Sequence, residues 1–179
     1  MHIDFSNIQT ASAVPGAAAM IETFRAIGYS LETAVADIID NSISAEAKNI
    51  YINRVWKGGE SIITIRDDGY GMSNEEIIQA MRPGAQNPLE ERSLTDLGRF
   101  GLGLKTASFS QCRNLTVMSK QDGGAVSYWT WSLDYVAQSD KWELIKWAPD
   151  EYLNALDDVS RGTIVIWSHL DRVIPSATR

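Results

Sequence analysis

The feature that most restricts the fold of this chain is a change of hydrophobic period just after residue 47. Between Leu31 and Ala47 the apolar residues Ala34, Ile38, Ile39 and Ile43 recur at spacings of four, one and four, the single stripe of an amphipathic helix. From 49 to 56 and from 61 to 66 that spacing is gone, and Ile50, Ile52, Val55, Ile62, Ile63 and Ile65 mark two strands. Lys57-Gly58-Gly59-Glu60 between them has the composition of a hairpin turn. A helix that feeds a hairpin is not a βαβ unit, so a doubly wound parallel sheet is disfavoured.

The rest of the chain extends this pattern. An earlier helix is expected over 15–26, with Pro15 in its first turn and Gly28 as its stop. Ser73 and Glu76 form a capping box for a helix that reaches about Met81. Residues 82–99 combine Pro, Gly, Asn and mixed charges without a period, which predicts a long loop. Loops of that length inside a compact domain are uncommon and often functional. A helix over 101–109 follows, then strands at 115–119, 125–133 and 141–147, a short helix over 149–157 and a strand at 162–167. Helices, a hairpin, helices and then antiparallel strands predict an α+β fold, with helices on one face of a mostly antiparallel sheet. The six Trp residues, including Trp129, Trp131, Trp142, Trp147 and Trp167, fall in strand-like segments, where a buried sheet face is favoured over a partner surface.

Composition excludes several classes. The 179 residues suit one domain, and 44% hydrophobic with 22% charged content excludes wholesale disorder. A single cysteine, Cys112, precludes an intrachain disulfide, and with only His2 and His169 beside it a Cys/His zinc site is disfavoured. The longest apolar stretch, 11–21, is too short to span a bilayer and lacks a basic leader, so a cytoplasmic protein is expected. The net charge of -7 speaks against a nucleic-acid-coating surface.

Three segments carry residue types suited to chemistry. In the strong helix, Asp37 and Asn41 are four apart and share a face, with Asp40 close by. Oxygen ligands on a rigid helix suit a hard cation such as Mg²⁺, although a solvated helix face has the same composition. Next, Asp67-Asp68-Gly69-Tyr70-Gly71-Met72 ends a strand. Its glycines permit close approach or positive φ, and a carboxylate before them can accept a hydrogen bond from an exocyclic amine; a tight turn alone is the competing reading. Last, Gly98, Arg99, Phe100, Gly101, Leu102, Gly103, Leu104, Lys105 and Thr106 lead from the long loop into a helix. Glycines there expose amides to a phosphate, or merely ease the helix entry. A Walker A loop is excluded because Leu104 separates Gly103 from Lys105, and a dinucleotide fingerprint because Thr106 stands where its third glycine belongs.

The order and spacing of these segments resemble the GHKL ATPases, whose Bergerat fold lays helices over a sheet and holds ATP beneath a lid. The resemblance runs from about residue 20 to 170. It implies that Asn41 coordinates Mg²⁺ and that Asp67 accepts the adenine amine, helped by Gly71, with Met72 along the base. It also implies that Gly98 to Leu104 cradle the phosphates with backbone amides, and that residues 82–100 are the lid. Lys105 is either a phosphate charge or a solvated surface lysine, and Thr106 bonds a phosphate or its own helix. Residues 1–20 would be a flexible or partner-crossing segment ahead of an ATP-binding domain at 21–179. In MutL-like relatives a further domain follows the strand that 162–165 resembles, so a longer protein is expected. ATP-dependent homodimerisation is the implied partner behaviour.

One departure bears on turnover. Hydrolysing members carry Glu where this chain has Asp37, and Asp holds its carboxylate about 1.5 Å nearer the backbone. A misplacement of that order slows a reaction by about a hundredfold. The resemblance therefore implies Mg-dependent ATP binding with slow hydrolysis, Asp37 being the catalytic candidate. Two other readings compete. A sensor histidine kinase's ATP-binding domain would need a phosphoacceptor His, which neither His2 nor His169 resembles. A nucleotide-gated module would bind ATP without turning it over.

Overall fold

Helices in this chain begin where a side chain can satisfy their free amides. The computed structural model describes residues 5–6, 8–84 and 103–173. α1 (Ala17–Ala26) follows Pro15, and α2 (Leu31–Ser44) opens where the Ser30 hydroxyl accepts the Thr33 amide at 3.2 Å. β1 (Ile50–Val55) and β2 (Ile62–Asp67) form the expected hairpin around a 3₁₀ turn at Gly58–Glu60. The capping box is complete at α3 (Asn74–Met81): Ser73 takes the Glu76 amide, and the Glu76 carboxylate takes the Ser73 amide at 2.7 Å. There follow α4 (Gly103–Phe109), β3 (Asn114–Lys120), β4 (Ser127–Ser132), α5 (Leu133–Ser139) and β5 (Gly162–Ser168).

The sheet order is β1-β2-β5-β3-β4, and every pairing is antiparallel. The last strand takes the centre. Its residues are buried from end to end, which only a strand with neighbours on both edges and cover on both faces achieves. Alternate residues separate two cores. Ile63, Ile65, Leu115, Val117, Val165 and Trp167 pack with the helices, against Ile38, Ile77, Ala107 and Phe109. Ile62, Met118, Ile164 and Ile166 point the other way, onto Ala148 and Leu156. The α-helices thus occupy one face, as the α+β reading requires. Buried Arg25 ties this layer together, donating to the Phe109 and Cys112 carbonyls and pairing with Asp171 at 2.6 Å.

Four local expectations are corrected. The strand foreseen over 125–133 ends at Ser132, whose hydroxyl accepts the Tyr135 amide and starts α5, a helix the sequence did not suggest. The strand foreseen over 141–147 reduces to one bridge, Thr130 with Ile145. There the Lys146 ammonium takes the Tyr128 carbonyl and the Thr130 hydroxyl takes the Trp147 carbonyl, groups a continuing ladder would have used. The helix foreseen over 149–157 is a 3₁₀ turn at Asp150–Tyr152 followed by turns. Ile43 leaves the apolar stripe, at 53% exposure, and the buried seam of α2 runs Ala34, Ile38, Ser42. Of the tryptophans in the sheet segments, Trp131 and Trp167 are buried, while Trp142 and Trp147 are more than one-third exposed.

Among the described residues no helix is long and apolar enough to cross a membrane.

Candidate functional site

Strand alternation places three polar residues where apolar ones would be expected. Asp67 continues the helix-facing positions 63 and 65 of β2, Thr163 those of β5, and Ser119 those of β3. Asp67 pairs in register with Thr163, and Thr163 with Ser119, so the three lie side by side at one end of the central strands. Ser119 donates to the Gly162 carbonyl at 3.0 Å, shares a hydrogen bond with Thr163 Oγ1 at 2.8 Å, and accepts the Met72 amide at 2.8 Å. It pins the turn after β2 to the sheet.

Asp67 is only 7% exposed. The Gly69 amide donates to its Oδ1 at 2.9 Å and the Ser42 hydroxyl to its Oδ2 at 2.8 Å. Burial pushes its carboxyl up, and the Gly69, Ser42 and Thr163 hydrogen bonds hold part of that shift back. The side chain is therefore fixed in one orientation. Its neighbour Asp68 turns outward to the Lys48 and Asn49 amides and the Asn49 side chain, which lower its carboxyl to about 2. Asp68 holds the loop, and Asp67 is the carboxylate of the pair that borders the cleft.

Gly71 has a firmer reason to be glycine than approach to a ligand. Its φ is +72°, and a Cβ there would lie 2.0 Å from the Lys120 carbonyl oxygen. The close approach is made by the protein's own β3 end.

α2 contributes Asn41, exposed toward the cleft, and Asp37, half-buried one turn earlier. The Asp37 carboxylate lies 3.6 Å from where a Cβ on Gly103 would sit, so it abuts the start of α4. Burial pushes its carboxyl up, Asp40 adds to the shift and a hydrogen bond from Tyr29 opposes it. Asp40 itself is exposed.

Lys105 is not the solvated lysine that was one of its two readings. It is 3% exposed, donates to the Ala80 carbonyl at 2.8 Å, and burial lowers its ammonium to about 8. Thr106 is also buried, within α4.

These residues border one cleft of about 550 Å³. Its lining includes Asn41, Ser42, Asp67, Gly71, Met72, Gly103, Leu104, Lys105 and Thr163. A larger cavity of about 760 Å³, walled by Phe24, Trp129, Trp131 and Trp142, lies beyond α3 and contains none of these groups. Asp37 stands outside the cleft's lining, against Gly103, and Thr106, though buried, is also absent from that lining. The expected phosphate residues Gly98, Arg99, Phe100, Gly101 and Leu102, and all but 82–84 of the expected lid, lie outside the described residues. Sequence reasoning missed Ser42, Ser119 and Thr163. Ser42 had a signal, being the polar member of a seam spaced i, i+4, i+8 with Ala34 and Ile38. Ser119 and Thr163 had none, because their meeting depends on the strand order.

A sequence profile for histidine kinase-, DNA gyrase B-, and HSP90-like ATPases matches residues 29–163. The ATPase morc-1 of Caenorhabditis elegans is 33% identical over 91 residues, 51% of this chain and 10% of that protein. The DNA mismatch repair protein MutL of Clostridium beijerinckii is 35% identical over 98 residues, covering 54% of this chain and 15% of its own length. MutL of Colwellia psychrerythraea is 35% identical over 100 residues, again 54% of this chain and 15% of its own. The chain thus matches only a small part of each of these relatives.

Proposed function

Because the chain belongs to the histidine kinase-, DNA gyrase B- and HSP90-like ATPases, we propose that its cleft binds ATP with Mg²⁺ and that the bound nucleotide is hydrolysed slowly. The observation that carries this reading is Asp67, a buried carboxylate held by the Gly69 amide and the Ser42 hydroxyl at the floor of an open cleft. A carboxylate has about four acceptor sites, so capacity remains for an adenine amine. Val117, Val165 and Met72 supply apolar surface for a flat base.

The residues present also fit the metal. Among the described residues no group of three or more His, Cys, Asp or Glu is placed to hold an ion. Mg²⁺ seldom requires such a cage; it keeps several waters and takes one or two protein oxygens together with substrate phosphates. The Asn41 side-chain carbonyl is the oxygen that this chain would offer. When bound, the ion neutralises phosphate charge. Asp37, beside the first residue of α4, is the group that would orient a water and take its proton, and its raised pKa suits a general base.

Calorimetric titration with a non-hydrolysable ATP analogue, with and without Mg²⁺, tests the binding. Affinity should depend on the metal, and Asn41→Ala should abolish that dependence while leaving the metal-free affinity in place. An Asn41→Ala protein that binds the Mg complex normally would refute the metal assignment. Asp37→Asn should leave binding intact and lower turnover by on the order of a hundredfold. The base must be ionised to act, so wild-type turnover should fall as pH drops through a value raised from that of an ordinary aspartate. Turnover that survives Asp37→Asn unchanged, or that lacks this acidic limb, removes Asp37 from the reaction. Absence of turnover in the wild type, with binding intact, would select the nucleotide-gated module.

Nucleotide-driven closure of residues 82–100 and pairing of two N-terminal domains extend this reading to a conformational ATPase. Sedimentation during the same titration checks the pairing, and a monomer mass at saturating analogue would rule it out. His169 is not placed as the phosphoacceptor that the kinase alternative would need. His169 follows β5 at the end opposite Thr163 and lies 3.8 Å from Asp134, away from the cleft.

A further inference from the structure

The last carbonyls of a helix have no intrahelical donors and must find others. In α3 they are served by groups from three places. The Gln79 carbonyl takes the Arg82 amide at 3.1 Å, the Ala80 carbonyl takes the Lys105 ammonium at 2.8 Å, and the Met81 carbonyl takes the Trp131 indole at 2.9 Å. A lysine at a helix C-terminus is electrostatically favourable. This one is unusual in being buried, in arriving from another helix, and in forming no ion pair among the described residues. Its only described partner is a neutral carbonyl.

Lys105 also borders the cleft, as do Gly103 and Leu104 of the same helix. A buried ammonium facing a neutral acceptor is poorly compensated, and its lowered pKa reports that penalty. A polyanion entering the cleft would offer full negative charge, where a carbonyl offers a partial one. The lysine stem is a flexible chain of four carbons, so a change of its rotamers can bring the ammonium to another acceptor without moving α4.

We propose that Lys105 is shared between two acceptors: it caps α3 while the cleft is empty and turns to the phosphates when a nucleotide enters, so that anion binding releases the last turn of α3. The proposal rests on the nucleotide reading above and adds a consequence to it. Occupancy of the cleft is passed to Met81, Arg82 and Gly84, at the start of the segment that follows α3. Ile78 and Arg82 of the same region wall the tryptophan-lined cavity, whereas Gln79 and Ala80 wall the cleft, so the released turn is the partition between the two.

Hydrogen exchange of the Met81 and Arg82 amides in the full chain tests this, with calorimetry run on the same samples. The probes are a non-hydrolysable ATP analogue with Mg²⁺ and inorganic tripolyphosphate. In the wild type each anion should speed exchange by roughly ten- to a hundredfold, the effect of losing one charge-assisted hydrogen bond. Lys105→Met, which keeps the apolar stem, should exchange at the faster rate already and show no further response. The wild-type comparison holds whether or not that variant folds. Analogue binding without faster exchange overturns the shared-lysine proposal and leaves the ATP reading standing. Tripolyphosphate that speeds exchange while the analogue fails to bind supports the shared lysine and defeats the ATP reading. If neither probe binds, both fall.

Discussion

Asp67→Asn should lower ATP affinity by roughly a hundredfold, the loss expected when a hydrogen bond to a charged acceptor is removed, while the protein stays folded. The two effects separate because of how the side chain is held. An amide cannot turn its NH₂ toward the Gly69 amide, since both are donors and the backbone is fixed. The NH₂ must take the place of Oδ2, where the Ser42 hydroxyl can rotate to accept it and still donate to the Ile38 carbonyl, which it already approaches at 3.3 Å. That orientation leaves one neutral carbonyl oxygen, already committed to Gly69, and sets an N–H where an adenine amine would also donate.

Stability should move differently. Burial raises the Asp67 carboxyl above its unfolded value, so its contribution to stability is present at low pH and lost as pH rises through the folded value. At neutral pH the ionised group is a burden, and a neutral amide of the same shape relieves it. Thermal melting of Asp67→Asn at pH 7 should therefore match or exceed the wild type. Unchanged ATP affinity in a folded variant would remove Asp67 from the base pocket. A collapsed melting temperature would show that its role is structural.

The second large effect is the reverse, a loss of fold. Gly71→Ala adds one methyl at φ +72°, 2.0 Å from the Lys120 carbonyl oxygen and 2.6 Å from its carbon. Those atoms are main chain in a central part of the sheet, so relief requires moving either the loop or the end of β3. Either movement disturbs the Met72–Ser119 hydrogen bond and the Ser119–Thr163 contact behind it. We expect a cost of about 3 kcal/mol or more, a large fraction of the net stability of a domain. That lowers the melting temperature by about 10 °C for a chain of this size. Gly59→Ala is the control, because nothing lies within 4 Å of a Cβ there. If Gly71→Ala melts with the wild type but loses ATP, the glycine serves the ligand and the packing explanation is wrong.

Much of this was legible in the sequence for local reasons. The helix over 31–44 has its own apolar seam and its own Ser30 cap, α3 has both halves of its capping box, and the β1–β2 hairpin closes over the six residues 56–61. Such signals involve residues within a turn or two of one another, so no tertiary information is needed to read them. The three candidate segments stood out too, because Asp67, Asn41 and the glycines at 101 and 103 are chemically unusual for their places in the sequence.

What the sequence alone determined is therefore the elements with local signals (α2, α3 and the β1–β2 hairpin), the family resemblance and the identity of Asp67, Asn41 and Asp37 as candidates. Only the tertiary structure decided which residues meet. β5 enters the middle of the sheet after some 40 residues of intervening chain, and that insertion brings Thr163 and Ser119 to Asp67. Burial of Lys105 depends on α4 packing beside the end of α3, a contact between residues 25 apart. The segment over 141–147 alternates as a strand should, yet side chains of Thr130 and Lys146 take the backbone acceptors that would have extended the ladder. Periodicity reports which face of an element is apolar. It carries no information on which neighbour covers that face, because burial is satisfied equally by any surface of the right shape.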